Sequence, residues 1–213
     1  MTVNSTSNTR WRRWAPAALA FAVIAGGGWY VTRSGGPVLP DGPSEAVVGG
    51  PFALTAHTGE RVTDADFRGR GMLIYFGFKF CPDVCPISLQ VMGAGLDQLT
   101  APERARVQPL FISLDPERDT PEAMAHYVRS NGFPDTLIGL TGAPAAIDQV
   151  VKAYRVYYQK VETPESAADY LVDHSSIIFL MDDAGDFVRV FSHDTAPETL
   201  AQGVRDWLSE ADA

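Results

Sequence analysis

The 213-residue sequence predicts an α/β sandwich on a mixed central sheet, with a hairpin at its start and helices on its flanks. Strand-like and helix-like segments alternate over residues 49–211, which favours parallel strands joined by helices. The segment 72–78, MLIYFGF, is apolar at both alternating sets of positions, as in a strand that is covered on both faces. A late hairpin adds antiparallel strands, so the sheet is predicted to be mixed.

In the first half, residues 52–55 and 61–63 flank a turn and predict a short hairpin. Strand 72–78 follows, and Pro86 is expected to open a helix at its first position. The apolar face of that helix is spaced by threes and fours: Leu89, Met92, Leu96 and Leu99. Thr100–Glu103 has the form of a capping box, which predicts one further helical turn.

The second half continues with a strand at 110–114 and a helix that begins at the pair Thr120–Pro121. A short strand is predicted at 137–140, and a strand at 156–161 precedes a polar loop up to Tyr170. Helical spacing also places four residues on one face: Ile147, Val150, Val151 and Tyr154.

The chain ends with a hairpin and a helix. The hairpin joins 176–181 to 187–191 through the turn at 182–185. Thr195–Glu198 again has capping-box form and is expected to start the last helix. The apolar face of this helix contains Leu200, Val204, Trp207 and Leu208.

Residues 14–31, WAPAALAFAVIAGGGWYV, contain no charged side chain. A helix of this length reaches roughly 27 Å, enough to cross the hydrocarbon core of a bilayer. Arg10, Arg12 and Arg13 precede it and favour a cytoplasmic N-terminus. The prediction is a cytoplasmic tail at 1–13, a transmembrane helix at 14–31, a linker at 32–48 and an exported domain at 49–211. A signal peptide cleaved near Ala20–Ala22 is the alternative.

The formal net charge is −9, and all the bases before residue 34 precede the first acid. Residues 34–213 therefore hold 13 bases against 26 acids. Binding to nucleic acid depends on Lys and Arg contacts with phosphates, so this composition argues against a nucleic-acid partner.

Cys81 and Cys85 are the two cysteines of the chain, and they follow the apolar strand directly. Functional sites of open α/β sheets gather at this carboxyl edge. On one helical face their Cα atoms would be roughly 6 Å apart, so a Cys81–Cys85 disulfide can form on oxidation. Closing so short a loop stabilises a fold by only about 2 kcal/mol. Electron exchange, metal capture or both are therefore the predicted roles.

Three motifs resemble the signature of one family: Gly77–Pro86 (GFKFCPDVCP), Ser113–Pro121 (SLDPERDTP) and Tyr170–Ser176 (YLVDHSS). The family is Sco (SCO/SenC), the membrane-anchored, thioredoxin-like copper chaperones of cytochrome c oxidase assembly. The resemblance extends from residue 49 to about 210. It implies a thioredoxin-like fold and a metallochaperone rather than an enzyme. It also implies a single-pass protein of a bacterial cytoplasmic membrane with its domain in the periplasm.

The resemblance further implies a copper site formed by Cys81, Cys85 and His174. Thiolates select Cu(I), and imidazole suits copper in either oxidation state. A structural zinc site usually has four protein ligands, and the sequence offers three candidates. The implied partner is the copper-bearing subunit of cytochrome c oxidase, with other periplasmic copper chaperones or thiol reductants as further partners.

Three aspartates are candidates for supporting roles. Asp115 and Asp119 lie either in turn and capping positions or near the copper in a docking loop. Asp173 precedes the histidine and is expected to support it without binding metal. The remaining histidines are expected to face solvent, with His193 as the spare ligand.

Other functions stay open at this stage. A thiol–disulfide oxidoreductase would keep the cysteines of the oxidase subunit reduced and would need both thiols but no histidine. A peroxide sensor would use one reactive cysteine. A membrane-tethered binding module without metal is the remaining alternative.

Overall fold

The computed structural model describes residues 47–163 and 169–213. The predicted tail at 1–13, the transmembrane helix at 14–31 and most of the linker at 32–48 lie outside these residues. Within the described part, no helix combines the length and apolar character that crossing a bilayer requires.

Among the described residues, the main sheet has seven strands: β1 (Ala53–Ala56), β2 (Arg61–Thr63), β3 (Gly71–Gly77), β4 (Val107–Ser113), β5 (Ile138–Thr141), β8 (Ile177–Met181) and β9 (Phe187–Ser192). They lie side by side in the order β2-β1-β5-β4-β3-β8-β9. Strand β3 pairs in parallel with β4, and β4 in parallel with β5, whereas the outer pairs are antiparallel. The predicted mixed sheet and both predicted hairpins are therefore confirmed.

A second, two-stranded sheet pairs β6 (Tyr158–Glu162) with β7 (Tyr170–His174) in antiparallel register. The sequence predicted only the first of these strands and gave the second no secondary structure. The pattern YLVDH mixes apolar and charged residues, and its partner β6 is mostly exposed. A strand of this kind is defined by its pairing more than by its own residues.

Five α-helices and a short 3₁₀-helix (Asp64–Phe67) complete the described fold. The α-helices are α1 (Val84–Asp97), α2 (Ala101–Ala105), α3 (Pro121–Tyr127), α4 (Pro144–Tyr154) and α5 (Pro197–Ala211). The predicted capping box at Thr100 is confirmed, as is the N-cap of Thr120, whose side chain accepts from the backbone N–H of Ala123 at 3.3 Å.

Two predicted helix starts are wrong. Helix α1 begins at Val84, two residues before Pro86. Proline is tolerated anywhere in the first turn, because the backbone N–H groups there have no partner within the helix. Helix α5 is capped by Ala196, which makes no side-chain cap hydrogen bond, so the capping box at Thr195 does not form. Pro197 occupies the first position and shifts the cap one residue beyond the threonine.

Strands β3 and β4 are buried along their whole length and form the centre of the core. Helix α1 lies close to α5, where a Cβ atom on Gly95 would meet the Leu200 side chain at 2.8 Å. The predicted apolar faces of α1, α4 and α5 are all buried. The carboxyl end of buried β3, at Gly77, lies four residues before Cys81.

Candidate metal centre

The two cysteines lie in different local structures. Cys81 is in the turn after β3 and is half-buried, whereas Cys85 lies in the first turn of α1 and is fully buried. The predicted arrangement of both thiols on one helical face is therefore wrong, because Cys81 lies before the helix. The backbone N–H of Cys85 donates to Cys81 Sγ at 3.4 Å. The sulfur thus partners one of the free N–H groups at the start of the helix.

The missing side chain of Gly77 makes room for the second thiol. A Cβ atom at this position would lie 2.9 Å from Cys85 Sγ and 2.9 Å from the Phe111 ring. Gly77 is the last residue of β3, so the sulfur of Cys85 rests directly on the end of the central strand.

His174 reaches the thiols through the antiparallel pairing of β8 with β3. In this register Ile178 lies beside Tyr75, so the start of β8 adjoins the end of β3. His174 ends β7 three residues before β8 begins. The chain therefore brings the imidazole to the same sheet edge as the cysteines, across a separation of 89 residues from Cys85.

The predicted ligand atoms come together. One ligand atom from each of Cys81, Cys85 and His174 lies within 4.8 Å of the others. His174 Nε2 is 3.4 Å from Cys85 Sγ, and Nδ1 is 3.1 Å from the carbonyl oxygen of Ser175. A carbonyl can only accept, so Nδ1 is the donor. Nε2 faces the sulfurs, with a lone pair in the neutral ring and as an N–H donor to the Cys81 thiolate in the protonated ring.

Two aromatic rings orient the imidazole. The rings of Tyr75 and Phe78 meet His174 edge to face, with centroid distances of 6.0 and 6.1 Å. Sequence reasoning assigned both residues to the strand and did not identify their contact with the histidine. Positions three apart in a regular strand face opposite sides of the sheet, so their shared contact arises because β3 ends at Gly77 and His174 approaches from a distant segment.

The surroundings of the two thiols shift their pKa values in opposite directions. A hydrogen bond from Cys85 lowers the pKa of Cys81 to about 4, with His174 and the backbone N–H groups of Asp83 and Cys85 acting in the same direction against partial burial. The same bond to Cys81, together with burial and the charge on Cys81, raises the pKa of Cys85. In the metal-free protein Cys81 is thus the thiolate, and Cys85 keeps its proton.

Asp119 holds the turn that contains Cys81 through hydrogen bonds. Its Oδ2 accepts a hydrogen bond from Ser113 Oγ at 2.6 Å and another from the backbone N–H of Lys79 at 3.0 Å. The carboxyl is fully buried, and burial raises its pKa. Asp119 therefore joins the end of β4 to the turn that contains Cys81.

The other two aspartates differ from each other. Asp115 is fully buried, accepts a hydrogen bond from Tyr170 Oη at 2.7 Å and forms an ion pair with Arg118. Asp173 is exposed, and alternation along β7 puts it on the opposite face from His174. The structure therefore gives Asp115 a link to the sheet that contains the histidine and gives Asp173 a solvent-facing position.

The remaining histidines stay apart from this cluster. His126 and His193 are exposed, as predicted. His57 is half-buried instead, and its Nδ1 accepts from the backbone N–H of Gly139 at 3.2 Å. The described residues contain one group of three or more His, Cys, Asp or Glu side chains with metal-binding geometry, which is Cys81, Cys85 and His174.

Two soft sulfurs and one imidazole form a donor set that suits Cu(I), and a further ligand would complete a Cu(II) site. A closed structural zinc site would require a fourth protein ligand, and the cluster provides three. The sulfur pair can also form a disulfide after movement of the turn. Metal capture and electron exchange are therefore both within the chemistry of this cluster.

Comparisons with known proteins agree on one family. A family model described as SCO1/SenC matches residues 40–209. The human mitochondrial protein SCO1 homolog is 46% identical over 162 residues, which are 74% of this chain and 52% of that protein. The chain spans about half the length of the first curated relatives it matches.

Solved structures give the same result. Copper-bound ScoI of Arabidopsis thaliana has a TM-score of 0.71 and 41% identity, covering 76% of this chain and 99% of that one. Copper-bound ScoI of Bradyrhizobium japonicum has a TM-score of 0.67 and 42% identity, covering 75% of this chain and 99% of that one.

Proposed function

Because the chain belongs to the SCO1/SenC family, we propose that it binds copper through Cys81, Cys85 and His174 and delivers it to the CuA site during cytochrome c oxidase assembly. The observation that supports this most directly is the convergence of two sulfurs and one imidazole nitrogen within 4.8 Å. The Arabidopsis and Bradyrhizobium relatives were solved with copper bound.

The protonation of the site suits the capture of a soft cation. Cys81 is half-buried and already a thiolate, so it offers the first sulfur to incoming copper. The positive charge of copper then favours loss of the proton from Cys85, as metal binding to thiols generally does. His174 Nε2 supplies the third donor. Release would follow the reverse order, as thiols of the recipient replace these ligands one at a time.

A copper-retention experiment tests the ligand set. The purified full-length chain is loaded with copper and dialysed against a weak chelator, and the copper that remains is counted. Cys81→Ala and Cys85→Ala should lose nearly all of it. His174→Ala should retain at least about tenfold less than wild type, since losing even an outer-shell partner of a ligand typically costs about 10- to 100-fold in metal affinity. His193→Ala is the matched control, since it removes an exposed imidazole.

Equal and tight retention by His174→Ala and wild type would sink the proposed ligand set. Delivery is tested separately by incubating the copper-loaded protein with a soluble, metal-free CuA domain of an oxidase subunit. Appearance of the CuA absorption bands in the recipient supports delivery, and copper that stays on the donor contradicts it.

A second function is favoured by the unequal thiols. A thiolate at half-buried Cys81 can attack a disulfide, and Cys85 can then resolve the mixed disulfide. Such an oxidoreductase would keep the cysteines of the oxidase subunit reduced. His174→Ala separates the two functions, because disulfide reduction should persist in this variant whereas copper retention should fall.

We also propose the membrane arrangement that the sequence predicts. The uncharged segment 14–31, with Arg10, Arg12 and Arg13 before it, would anchor the domain outside a bacterial cytoplasmic membrane. The segment 32–48 would act as the tether. Membrane fractionation and protease access in spheroplasts test this arrangement. A chain found in the soluble fraction, or protected from external protease, would contradict it.

A further inference from the structure

We propose that Arg118 is a positioning residue that clamps the β6–β7 sheet, and with it His174, to the turn that contains Cys81. Arg118 lies in the connection between β4 and α3, and its side chain is 19% exposed. This inference deepens the proposed copper site and rests on it only where copper is measured.

Arg118 lies against two aromatic rings from two different segments. Its guanidinium carbon is 4.9 Å from the ring centroid of Phe80 in the cysteine turn and 3.7 Å from that of Tyr170 at the start of β7. Lys79 Nζ lies 5.0 Å from the Phe80 ring, and Lys160 Nζ lies 4.7 Å from the Tyr170 ring. These five side chains alternate cation and ring, and we call them the cation–aromatic ladder.

Hydrogen bonds also hold Arg118 against Tyr170. Arg118 Nη1 donates to the backbone carbonyl of Tyr170 at 3.2 Å, and Nε donates to the carboxylate of Asp115. Tyr170 Oη donates to the other oxygen of that carboxylate at 2.7 Å. Asp115 is fully buried, so the carboxylate that joins Arg118 and Tyr170 is shielded from water and from screening by salt.

The β6–β7 sheet depends on such outside contacts. It has two strands and is separate from the seven-stranded sheet, and an isolated two-stranded ribbon is marginally stable in water. Strand β7 extends from Tyr170, which Arg118 contacts, to His174, which faces the sulfurs. Releasing Tyr170 would therefore loosen the segment that presents the imidazole.

The geometry selects arginine over lysine. A planar guanidinium can stack on rings and donate in its own plane at the same time, whereas a lysine ammonium is a point charge. Arg118→Lys keeps the positive charge beside Asp115 but cannot reproduce these contacts together. We expect it to behave like Arg118→Gln in every measurement below.

The first experiment needs no metal. Hydrogen–deuterium exchange is followed in the full-length, metal-free chain for the amides of β7 and, as an internal reference, for those of β3. Arg118→Gln should speed exchange in β7 at least tenfold and leave β3 unchanged. Arg106→Gln is the control, because it breaks an exposed ion pair with Asp212 that lies outside the ladder. Unchanged exchange in β7 would overturn the proposal.

A second variant keeps the proposal testable if Arg118→Gln fails to fold. Phe80 is 44% exposed, so Phe80→Leu should fold while removing the ring that links Arg118 to the cysteine turn. It too should speed exchange in β7, by a smaller factor. If Arg118→Gln is unfolded and the β7 amides of Phe80→Leu exchange at the wild-type rate, Arg118 is only a general stabiliser of the fold. That result would overturn its positioning role.

The last readout uses copper. In the Cu(II) form, nitrogen hyperfine coupling reports the bound imidazole, and the sulfur-to-copper absorption band reports the thiolates. Arg118→Gln should weaken the nitrogen coupling while the sulfur band persists. Full nitrogen coupling in the variant would count against the clamp. If wild type itself binds no copper, the proposed function fails, and the exchange rates still decide whether Arg118 holds β7.

Discussion

The low pKa of Cys81 predicts an unusual pH profile for its reaction with a disulfide reagent. The perturbation is pH itself, applied to the reduced, metal-free chain. A pKa of about 4, against 9.0 for an unperturbed thiol, makes Cys81 almost fully thiolate at pH 6, where an ordinary thiol is about 0.1% ionised. The structure therefore predicts about a thousandfold more nucleophile at that pH.

Lower basicity also lowers the intrinsic reactivity of each thiolate. A Brønsted coefficient of 0.4–0.5 over a five-unit shift slows the attack by roughly 100- to 300-fold. The two effects leave Cys81 about 3- to 10-fold faster than an ordinary thiol at pH 6 and about 100-fold slower at pH 9. Partial burial of Cys81 scales all these rates alike, so the shape of the profile is the sharper prediction.

The assay is the initial rate of reaction with dithiodipyridine between pH 3 and 9. The native protein should react at a rate that is flat within about twofold from pH 5 to 8 and falls only as pH drops through about 4. The same chain unfolded in urea is the control, and its rate should rise nearly tenfold per pH unit up to its ordinary pKa. A native rate that climbs in the same way would refute the thiolate assignment of Cys81.

Three further predictions concern the same region. His174→Ala removes a hydrogen bond that lowers the pKa of Cys81, so the acid limb of the rate profile should move to higher pH. Gly77→Ala places a methyl group 2.9 Å from Cys85 Sγ, and urea denaturation should show a loss of about 1–3 kcal/mol, the usual cost of overpacking. Burial raises the pKa of Asp119 above 3.8, so the folded state binds this proton more tightly than the unfolded state does. The free energy of unfolding therefore falls as pH rises through the folded pKa. Asp119→Asn should flatten that decline, as measured by urea titrations at successive pH values.

Each of these has a contrary outcome. An unmoved acid limb in His174→Ala would mean that Cys85 and the backbone alone set the thiolate. Gly142→Ala is the control for Gly77→Ala, since its new methyl group meets the flexible end of Leu54 at 3.2 Å. Equal losses in the two variants would contradict a specific clash with the sulfur. A pH dependence in Asp119→Asn as steep as in wild type would assign the decline to other groups.

Most of the main sheet could be predicted because its signals are local. The strand at 72–78 is apolar at both alternating sets of positions, which predicts burial on both of its faces. The regular spacing of apolar residues in the helices predicts one buried face for each helix. Strand β7 was missed because its stability comes from pairing with β6 and from the contact of Tyr170 with Arg118. The start of α1 was misplaced because its N-cap, Asp83, makes no side-chain cap hydrogen bond. The sulfur of Cys81 accepts from the N–H of Cys85 instead, a role that sequence rules give to oxygen.

The candidate ligands were predicted through family resemblance, and their proximity is now a geometric observation. By itself the amino-acid sequence determined that the thiols come directly after a buried strand and which segments are helical. Both features depend on neighbours a few residues away. The folded chain alone decided that His174 meets the sulfurs, that Arg118 bridges two segments and that Cys81 rather than Cys85 is ionised. These outcomes depend on β8 pairing with β3 and on unequal burial, and long-range pairing and burial are properties of the packed chain.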